Sequence, residues 1–497
     1  MAVSIYVDGS GCNYVGAVAD GERLIEYRIE KKNKTVTTGS VFKGRVENVL
    51  EGMQAAFIDV GLDKNGYLSA GDMLMDKSEL ESVELPSVSS LKVGDEVMVQ
   101  AVKDPSGNKG VRLTFNLSFA GRFVVFMPTI DFVGVSRKIT DVKKREKLLN
   151  LAKAIKPDGG GIIIRTAGAG ASGQALKKEL SLLINQYGTI EQKFSTMPAP
   201  SCIYEEGNMA LRLIRDVYNP KAEKFVVSDE KMYAEIMDFA KRYGGSLKNK
   251  LRLYDKNVDM FRYFGLDKEV NALLQSRVNL GNGAYIVIDK TEALTAIDVN
   301  SGGYVGGDNL EETVFSVNVA AAREIARQLR LRNISGIIIV DFIDMTEEEH
   351  KKQLLAELEK AFAEDREKAT VVGMTSLGLV EITRKKRRKE SVSMLLKPCP
   401  YCQGNGYIQS NDYTAMRVRT GLMDIFADGY KNAVIDMNAE IADYIISGQV
   451  LKNDMEKIWQ GKRVFIIPHK TYHQHFFLIK GDNSKVMDLP DKAITIG

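Results

Sequence analysis

Apolar residues follow a helical period in one stretch of the chain and a strand-like pattern on either side of it. The helical stripe in residues 310–332 consists of Val314, Val317, Ala321, Ile325 and Leu329. Short apolar runs at residues 294–300 and 336–340 predict a strand before and a strand after this helix. Two strands joined by a crossover helix lie parallel and adjacent in a sheet. We therefore expect Asp298 and Asp341, at the carboxyl ends of these strands, to share one sheet edge.

Short strands separated by turns dominate the first part of the chain. Residues 4–34 predict an antiparallel meander, in which Asp8 fits a hairpin turn better than a catalytic role. Residues 36–119 have evenly spaced strand patterns that are typical of a small Greek-key barrel of the OB type. The barrel strands are expected at residues 40–46, 55–61, 66–68, 96–102 and 111–114.

A separate lobe is expected to follow the barrel. Its pattern predicts a strand at 123–127, a lysine-rich helix at 142–155, a strand at 161–164 and a helix from about residue 174. Residues 209–214 and 225–227 predict strands that we expect to complete the opening meander. The later patterns predict a helix at 346–362, strands at 369–374 and 379–383, and a helical segment over 412–456.

Composition limits the cellular setting and the kind of partner. The formal net charge is only +3, from 68 lysines and arginines against 65 aspartates and glutamates, so local basic patches must bind any polyanion. Four cysteines provide no disulfide framework. Because the N-terminus resembles no signal peptide and no apolar run has membrane length, we expect a cytoplasmic protein without a membrane span.

The two strand-end aspartates suggest a magnesium site. Magnesium prefers oxygen ligands, keeps several waters, and is usually held by one or two carboxylates together with substrate phosphates. Asn300 shares the face of Asp298 and could orient a ligand or a water. The alternative is that these aspartates begin turns or cap helices. Asp344 is a weaker third candidate, because it precedes a helix start that it or Thr346 could cap.

Aromatic and basic residues of the barrel suggest binding of single-stranded nucleic acid. Phe57 and Tyr67 could stack on bases, while Lys103, Lys109 and Arg112 supply positive charge along the groove. The alternative is that both aromatic side chains belong to the barrel core.

Two further stretches could hold phosphate groups. Arg165 and Thr166 follow a strand and precede small residues and a helix, which suits a terminal phosphate, although an ordinary glycine-rich loop remains the alternative. The basic run at residues 384–389 follows the expected catalytic sheet and could hold a phosphate backbone, or it could be a solvated face.

Cys399 and Cys402 have the spacing of half a zinc site. The metal could be completed by a second subunit, or by His469, His473 and His475, for which a strand surface is the alternative interpretation. A symmetric dimer that shares one zinc is the more economical explanation.

Motifs throughout the chain closely resemble those of the bacterial ribonuclease E/G family. They lie at residues 165–168, 294–301, 325–332, 340–345 and 399–404. The length is similar to that of the shorter ribonuclease G branch. The resemblance implies an α+β multidomain fold: a ribonuclease-H-like domain (1–35 and 208–273) interrupted by an OB-fold RNA-binding domain (36–119) and a 5′-sensor domain (120–207), then a deoxyribonuclease-I-like catalytic domain (274–395), a zinc link (396–408) and a small dimerisation domain (409–497).

The resemblance also implies roles for individual residues. Asp298 and Asp341 match the family's metal-binding catalytic aspartates and Asn300 its assisting asparagine. The 5′-phosphate site matches Arg165, Thr166, Val125 and Arg137. The RNA-binding face matches Phe57, Tyr67, Lys103 and Lys109, and the zinc link matches Cys399 and Cys402. Ser376 stands where the better-known branch has an arginine near the active site, which leaves part of the grip on the RNA backbone to other residues.

The implied activity is that of a magnesium-dependent endoribonuclease. It would cut single-stranded, A/U-rich RNA with a preference for 5′-monophosphate ends, act in ribosomal RNA maturation and messenger RNA decay, and form homodimers or dimers of dimers. A protein of another class, an RNA-binding ribosome-assembly factor without catalysis, would not need the aspartate pair.

Overall fold

A computed structural model describes most of the chain. The described residues are 3–32, 36, 38–69, 90–103, 105, 109–218, 221–243, 247–281, 283–303, 310–363, 365–386, 390–484 and 489–496. The chain divides into two compact units, Met1–Leu395 and Leu396–Gly497. Most of the loop at residues 104–108 and the end of the basic run, residues 387–389, lie outside the described residues. No helix in the described ranges is long and apolar enough to cross a membrane.

The first strands form the predicted antiparallel meander. Strands β1 (Val3–Asp8), β2 (Asn13–Asp20) and β3 (Arg23–Lys31) pair in chain order. Asp8 ends β1, and its Oδ1 accepts a hydrogen bond from the backbone N–H of Ser10 at 2.9 Å. The geometry at Asp8 is therefore that of a turn.

The next strands close into the predicted OB-like barrel. They are β4 (Val41–Leu50), β5 (Ala55–Asp59), β6 (Gly66–Ser69), β7 (Glu96–Lys103) and β8 (Arg112–Thr114). Their order is β4-β5-β6-β8-β7, and pairing of β4 with β7 closes the barrel. Along β5, Ala56 and Ile58 are buried in the barrel interior and alternate with the half-buried Phe57 and Asp59, as a period of two requires.

The lobe after the barrel combines a small sheet with two helices. Its elements are β9 (Phe119–Ala120), β10 (Val124–Met127), β11 (Val133–Val135), α1 (Val142–Ile155), β12 (Gly161–Ile164), α2 (Gly173–Thr196) and β13 (Ser201–Tyr204). The side chains of Asp141 and Ser172 cap the two helices. Strand β13 leaves the lobe and pairs with β4 of the barrel.

The prediction of a strand at residues 209–214 is wrong, because this segment forms helix α3 (Met209–Asp216). Asn208 caps it by accepting from the N–H of Leu211 at 3.0 Å. The buried side chains are Met209, Ala210, Leu213 and Ile214, which is a helical spacing. A six-residue apolar run is too short to distinguish the two periods from sequence.

The segment after α3 returns to the opening meander, as expected. It contains β14 (Phe225–Val227), α4 (Glu230–Tyr243), α5 (Leu247–Lys250), β15 (Leu251–Leu253), α6 (Met260–Tyr263) and α7 (Asp267–Ala272). Strand β14 pairs in parallel with β1, so the sheet order is β15-β14-β1-β2-β3.

A mixed sheet with helices follows. Its elements are β16 (Arg277–Gly281), β17 (Ala284–Lys290), β18 (Leu294–Asn300), α8 (Leu310–Arg332), β19 (Gly336–Asp341), α9 (Glu348–Ala363), β20 (Ala369–Met374), β21 (Leu379–Arg384) and α10 (Val392–Leu395). The strand order is β16-β17-β18-β19-β21-β20, and β18 and β19 are parallel, as predicted. Helices α8 and α9 share one hydrophobic core with a single face of this sheet.

The second unit has its own core and sheet. It contains α11 (Asn411–Ala427), β22 (Asn432–Asn438), α12 (Ala439–Ser447), α13 (Lys452–Lys457), β23 (Arg463–His469), β24 (Phe477–Asp482) and β25 (Ile494–Ile496), with the order β24-β22-β23-β25. The prediction that residues 412–456 are helical is wrong at β22. There Ala433, Ile435 and Met437 are buried at a spacing of two, which is a strand pattern.

Candidate active site

Asp298 and Asp341 occupy facing positions on neighbouring strands. They are register partners in the parallel pair of β18 and β19, and both are exposed. Adjacent strands lie about 4.8 Å apart, and register partners point to the same side of a sheet. The two carboxyl groups therefore emerge side by side at the carboxyl-end edge, as the sequence predicted.

Burial of the opposite face fixes this orientation. Ile297 and Val299 are buried against the helices, so Asp298 and Asn300 must point to the open face. The Asn300 Nδ2 donates a hydrogen bond to Asp298 Oδ2 at 2.7 Å. Asn300 therefore orients one of the two carboxylates, and its carbonyl oxygen can accept a hydrogen bond from a water.

The loop after Asp341 is anchored to helix α8. Asn318 is fully buried; its side chain donates to the carbonyl of Ile343 at 2.8 Å and accepts from the N–H of Ile343 at 3.1 Å. The Glu311 carboxylate accepts hydrogen bonds from Thr346, through Oγ1 at 2.8 Å and N–H at 3.0 Å. These bonds lower the pKa of Glu311 to about 2.

Sequence reasoning missed both anchoring residues. Asn318 lies on the apolar stripe of α8 between Val314 and Ala321, and a polar residue in such a stripe is a signal for a buried hydrogen bond. Glu311, rather than Asp344 or Thr346, receives the N–H groups before α9.

The carboxylate pair fits a hard divalent cation. In the part of the chain that the structure describes, no group of three or more His, Cys, Asp or Glu side chains is close enough to hold a metal. Asp344 therefore does not join the pair; it lines a neighbouring cavity of about 250 Å³ with Lys351 and Ser376. Two exposed carboxylates suit magnesium, whose shell is completed by waters and substrate phosphates.

Four of the barrel residues named from sequence lie in one row across its surface. Phe57 faces Tyr67, Tyr67 faces Arg112, and Arg112 faces Lys103 in successive strand pairs. The Phe57 and Tyr67 rings meet edge to face at 5.8 Å, and both side chains are half-buried outside the barrel core. Lys103 and Lys109 are exposed. This row combines ring surface with positive charge.

Arg165 and Thr166 lie at the end of β12 among polar partners. The Arg165 guanidinium donates to the Gly121 carbonyl at 2.5 Å and to Asp216 Oδ1 at 2.9 Å. Thr166 is exposed, and its hydroxyl lies 3.0 Å from that of Ser136. Arg137, in the adjacent turn, is exposed. Val125 is only 7% exposed and packs with Met127, so its assignment to the 5′-phosphate site stays a prediction.

The buried Glu179 organises this site and was also missed. Its carboxylate accepts hydrogen bonds from the N–H groups of Arg122, Phe123 and Val124 at 2.7, 2.7 and 2.9 Å. This fixes the turn whose Gly121 carbonyl meets Arg165. The sequence signal is a glutamate on the apolar face of α2, next to Leu176, Leu180 and Leu183.

The assignment of Arg384 to a basic phosphate-holding run is wrong. Arg384 is 4% exposed and donates to both carboxylate oxygens of Asp365, at 2.8 and 3.2 Å, and to the Ile334 carbonyl at 2.9 Å. It points to the core face of β21 because it alternates with Glu381 and Thr383. Lys385 and Lys386 are exposed.

In the second unit, Cys399 is exposed and Cys402 is half-buried, and neither is in a disulfide. The N–H of Gly406 donates to Cys402 Sγ at 3.4 Å, and this bond lowers the pKa of the thiol. The chemistry of the pair, two thiols with one favouring the thiolate, fits zinc as half a site.

His469 and His473 have other partners. His469 bonds Asp436 at 2.6 Å, and His473 bonds the Tyr401 carbonyl at 2.6 Å and stacks on the Tyr401 ring. His469 ends β23, whereas His473 and His475 lie in the connection to β24, so the strand-surface interpretation is wrong for these two.

The fold and the site together define a class of protein: a multidomain α+β chain with an OB-like barrel and a carboxylate pair at a sheet edge. The sequence model of the ribonuclease E/G family matches residues 118–387. The chain belongs to this family, as the motifs predicted.

Curated relatives match nearly the whole chain. Ribonuclease G of Haemophilus influenzae is 36% identical over 472 residues, and ribonuclease G of Escherichia coli K12 is 38% identical over 468 residues. Each match covers 93% of this chain and 96% of the relative. Ribonuclease E of Escherichia coli K12 is 31% identical over 489 residues, which cover 95% of this chain and 45% of that relative.

Proposed function

We propose that this ribonuclease E/G family member is a magnesium-dependent endoribonuclease that cuts single-stranded, A/U-rich RNA and prefers 5′-monophosphate ends. Family membership and the names of its relatives support the endoribonuclease class. The observation that carries the mechanism is the facing register of Asp298 and Asp341 on the open face of the sheet.

Asp298 and Asp341 would hold the magnesium ion. When bound, the ion lowers the pKa of a coordinated water and neutralises charge on the phosphate under attack. Asn300 holds the Asp298 carboxylate in one orientation through its 2.7 Å hydrogen bond, and Asn318 keeps the chain after Asp341 in place. The expected product carries a 5′-phosphate on the downstream fragment.

Two other surfaces would hold the substrate. Phe57 and Tyr67 would stack on unpaired bases, with Lys103, Lys109 and Arg112 along the backbone. Arg165, Thr166, Arg137 and the neighbourhood of Val125 would bind the 5′-phosphate, because a guanidinium and a hydroxyl converge there. The cellular substrates would be precursors of ribosomal RNA and messenger RNA.

The finer architecture belongs to the same proposal. The unit ending at Leu395 would comprise a ribonuclease-H-like domain, the OB-fold domain, the 5′-sensor domain and a deoxyribonuclease-I-like catalytic domain. Cys399 and Cys402 would share zinc with a second subunit and produce a homodimer or a dimer of dimers. The cytoplasm, where thiols stay reduced, is the compartment that suits this pair.

A magnesium-titrated cleavage assay tests the mechanism. The substrate is a labelled, single-stranded A/U-rich oligonucleotide with a 5′-monophosphate. Asp298→Asn should retain binding, measured by fluorescence anisotropy, while cleavage falls by about 100-fold or more, because the metal contribution is worth several kcal/mol. The matched control is Glu292→Gln, which removes an exposed carboxylate from the turn between β17 and β18, at the opposite end of β18 from Asp298. Unchanged turnover in Asp298→Asn would remove Asp298 from the mechanism. Binding by the wild type without cleavage would instead favour the RNA-binding assembly factor.

A further inference from the structure

Arg277 and Tyr285 form a stacked pair on the sheet face that carries the aspartates. The Arg277 Cζ lies 3.7 Å from the centroid of the Tyr285 ring. In the register, Arg277 faces Val287, which faces Asp298, and Tyr285 faces Asn300. Tyr285 is therefore one strand away from Asn300, and Arg277 is two strand spacings, about 10 Å, from Asp298.

The pair contributes nothing to the hydrophobic core of this sheet. The neighbouring residues Val278, Ala284 and Ile286 point to the opposite face and are buried with the helices. Arg277 is exposed and Tyr285 half-buried. Within the described ranges, no carboxylate lies within ion-pair distance of Arg277. An exposed guanidinium that lies over a ring is thus available for a ligand.

The charges on this face indicate where a polyanion can lie. The next row of side chains, further from the carboxyl-end edge, consists of the register partners Asp289, Ala296, Ile339 and Glu381. This row therefore has a carboxylate at each of its two ends. Its negative charge repels phosphate. The row of Asp298 and Asp341 also has two carboxylates, but Arg277 adds a positive charge to it, and RNA is therefore favoured along that edge over the next row.

We propose that Arg277, supported from below by Tyr285, is a stacking platform for the base of a nucleotide next to the scissile phosphate. The proposal rests on the proposed function and deepens it by assigning a base-binding position to the catalytic sheet. Bases of single-stranded RNA stack on guanidinium planes as well as on aromatic rings. Arg277 is the contact residue, and Tyr285 is a positioning residue that keeps the guanidinium flat.

The test combines variants of the pair with abasic substrates. Oligonucleotides with one abasic nucleotide, scanned through the two positions on each side of the cleavage site, are compared with the intact substrate. For the wild type, KM should rise about tenfold when the abasic nucleotide is at one flanking position, because one base stack is worth about that much. Arg277→Lys keeps the positive charge but removes the planar guanidinium. Its KM for the intact substrate should therefore rise about tenfold, and the abasic nucleotide at that position should raise its KM no further. Tyr285→Leu should behave like Arg277→Lys, and Tyr285→Phe like the wild type.

Matched controls remove similar side chains elsewhere in the same unit. Arg323→Lys changes an exposed arginine of α8, which packs on the other face of the sheet, and Tyr263→Leu removes a tyrosine that is 54% exposed. Both should retain the wild-type response to abasic substrates.

Three outcomes would overturn the platform. The first is that Arg277→Lys has the same abasic sensitivity as the wild type. The second is that Arg277→Lys binds the intact substrate as well as the wild type does, which would show that Arg277 acts through its charge alone. The third is a change of oligomeric state in sedimentation without altered abasic sensitivity, which would make this face a contact between two copies of the chain. In each of these cases the proposed function still stands if the wild type cleaves RNA with magnesium and Asp298→Asn does not. If the wild type does not cleave, the proposed function fails, and the same abasic comparison by anisotropy still decides the platform.

Discussion

The Arg165 guanidinium is held by Asp216, with Nη2 donating to Oδ1 at 2.9 Å. Arg215 also donates to Asp216, from Nε at 3.0 Å and Nη2 at 3.2 Å, and pairs with Glu206. Burial by itself would raise the pKa of Asp216, but Arg215 and Arg165 together hold it well below its usual range. Asp216, at the end of α3, therefore stays ionised and holds Arg165 in the proposed 5′-phosphate site.

Asp216→Asn should reduce the preference for monophosphorylated substrates. Without the carboxylate charge Arg165 is held less firmly, so the ratio of kcat/KM for 5′-monophosphate over 5′-hydroxyl ends should fall by about tenfold, the value of one charge-assisted hydrogen bond. Arg165→Ala should erase the preference. The control Asp238→Asn, an exposed acid paired with Lys241, should leave the ratio unchanged. Equal loss on both substrates would argue against a sensor.

Glu311→Gln should destabilise the protein in a pH-dependent manner. The pKa of Glu311 is lowered from an ordinary value near 4.5 to about 2 by hydrogen bonds from Thr346 and Glu347. A carboxyl group with a depressed pKa in the folded state stabilises it fully above the ordinary value, and this contribution is lost as the pH falls from about 4.5 towards 2. The melting temperature of the variant should therefore be lower at pH 7, on the scale of a lost helix cap.

The difference in melting temperature between wild type and Glu311→Gln should shrink between pH 5 and pH 3. Calorimetry at several pH values measures it. The control is Glu312→Gln, at the next and exposed position of α8. A difference that stays constant down to pH 3 would show that the glutamate acts through packing and not through its charge.

Asp365→Ala should be strongly destabilising. Asp365 and Arg384 form an ion pair whose side chains are 3% and 2% exposed, at 2.8 Å. Removing one partner leaves a buried charge without compensation, which costs about 3–5 kcal/mol. Urea unfolding followed by circular dichroism measures the loss. The surface pair of Arg323 and Glu357, whose side chains are 62% and 26% exposed, provides the control, because Glu357→Ala should cost far less. A small effect of Asp365→Ala would mean that water enters the site.

Replacing Cys399 and Cys402 by serine should release zinc and convert dimers to monomers. Serine cannot replace thiolates as zinc ligands, so a shared site would lose half of its donors. Metal analysis and sedimentation velocity measure the two effects. The control replaces Cys12 and Cys202, both exposed, with serine. Dimers that persist without zinc would show that other contacts hold the subunits together.

The sequence by itself determined the elements whose pattern is local and long. The helix at 310–332 and its flanking strands were predictable because a long periodic stripe is unambiguous, and the handedness of crossovers then fixes Asp298 beside Asp341. The helix at 142–155 was predictable for the same reason, whereas the short barrel strands were predictable from their even spacing along the chain. The helix at 209–216 and the strand at 432–438 were not, because a short apolar run fits either period.

Only the tertiary structure decided which charged residues are partners. Three such pairs are far apart in the sequence. Asp216 is 51 positions from Arg165, Glu179 is 56 positions from Phe123, and Asp365 is 19 positions from Arg384. The alternation along β21 puts Arg384 on the face of Val380 and Ile382, but only the folded chain shows that Asp365 pairs with it there. Pairing of distant side chains depends on how sheets and helices pack, and one sequence contains no record of that packing. Periodicity therefore located the carboxylate pair, whereas the supports around it came from the folded chain.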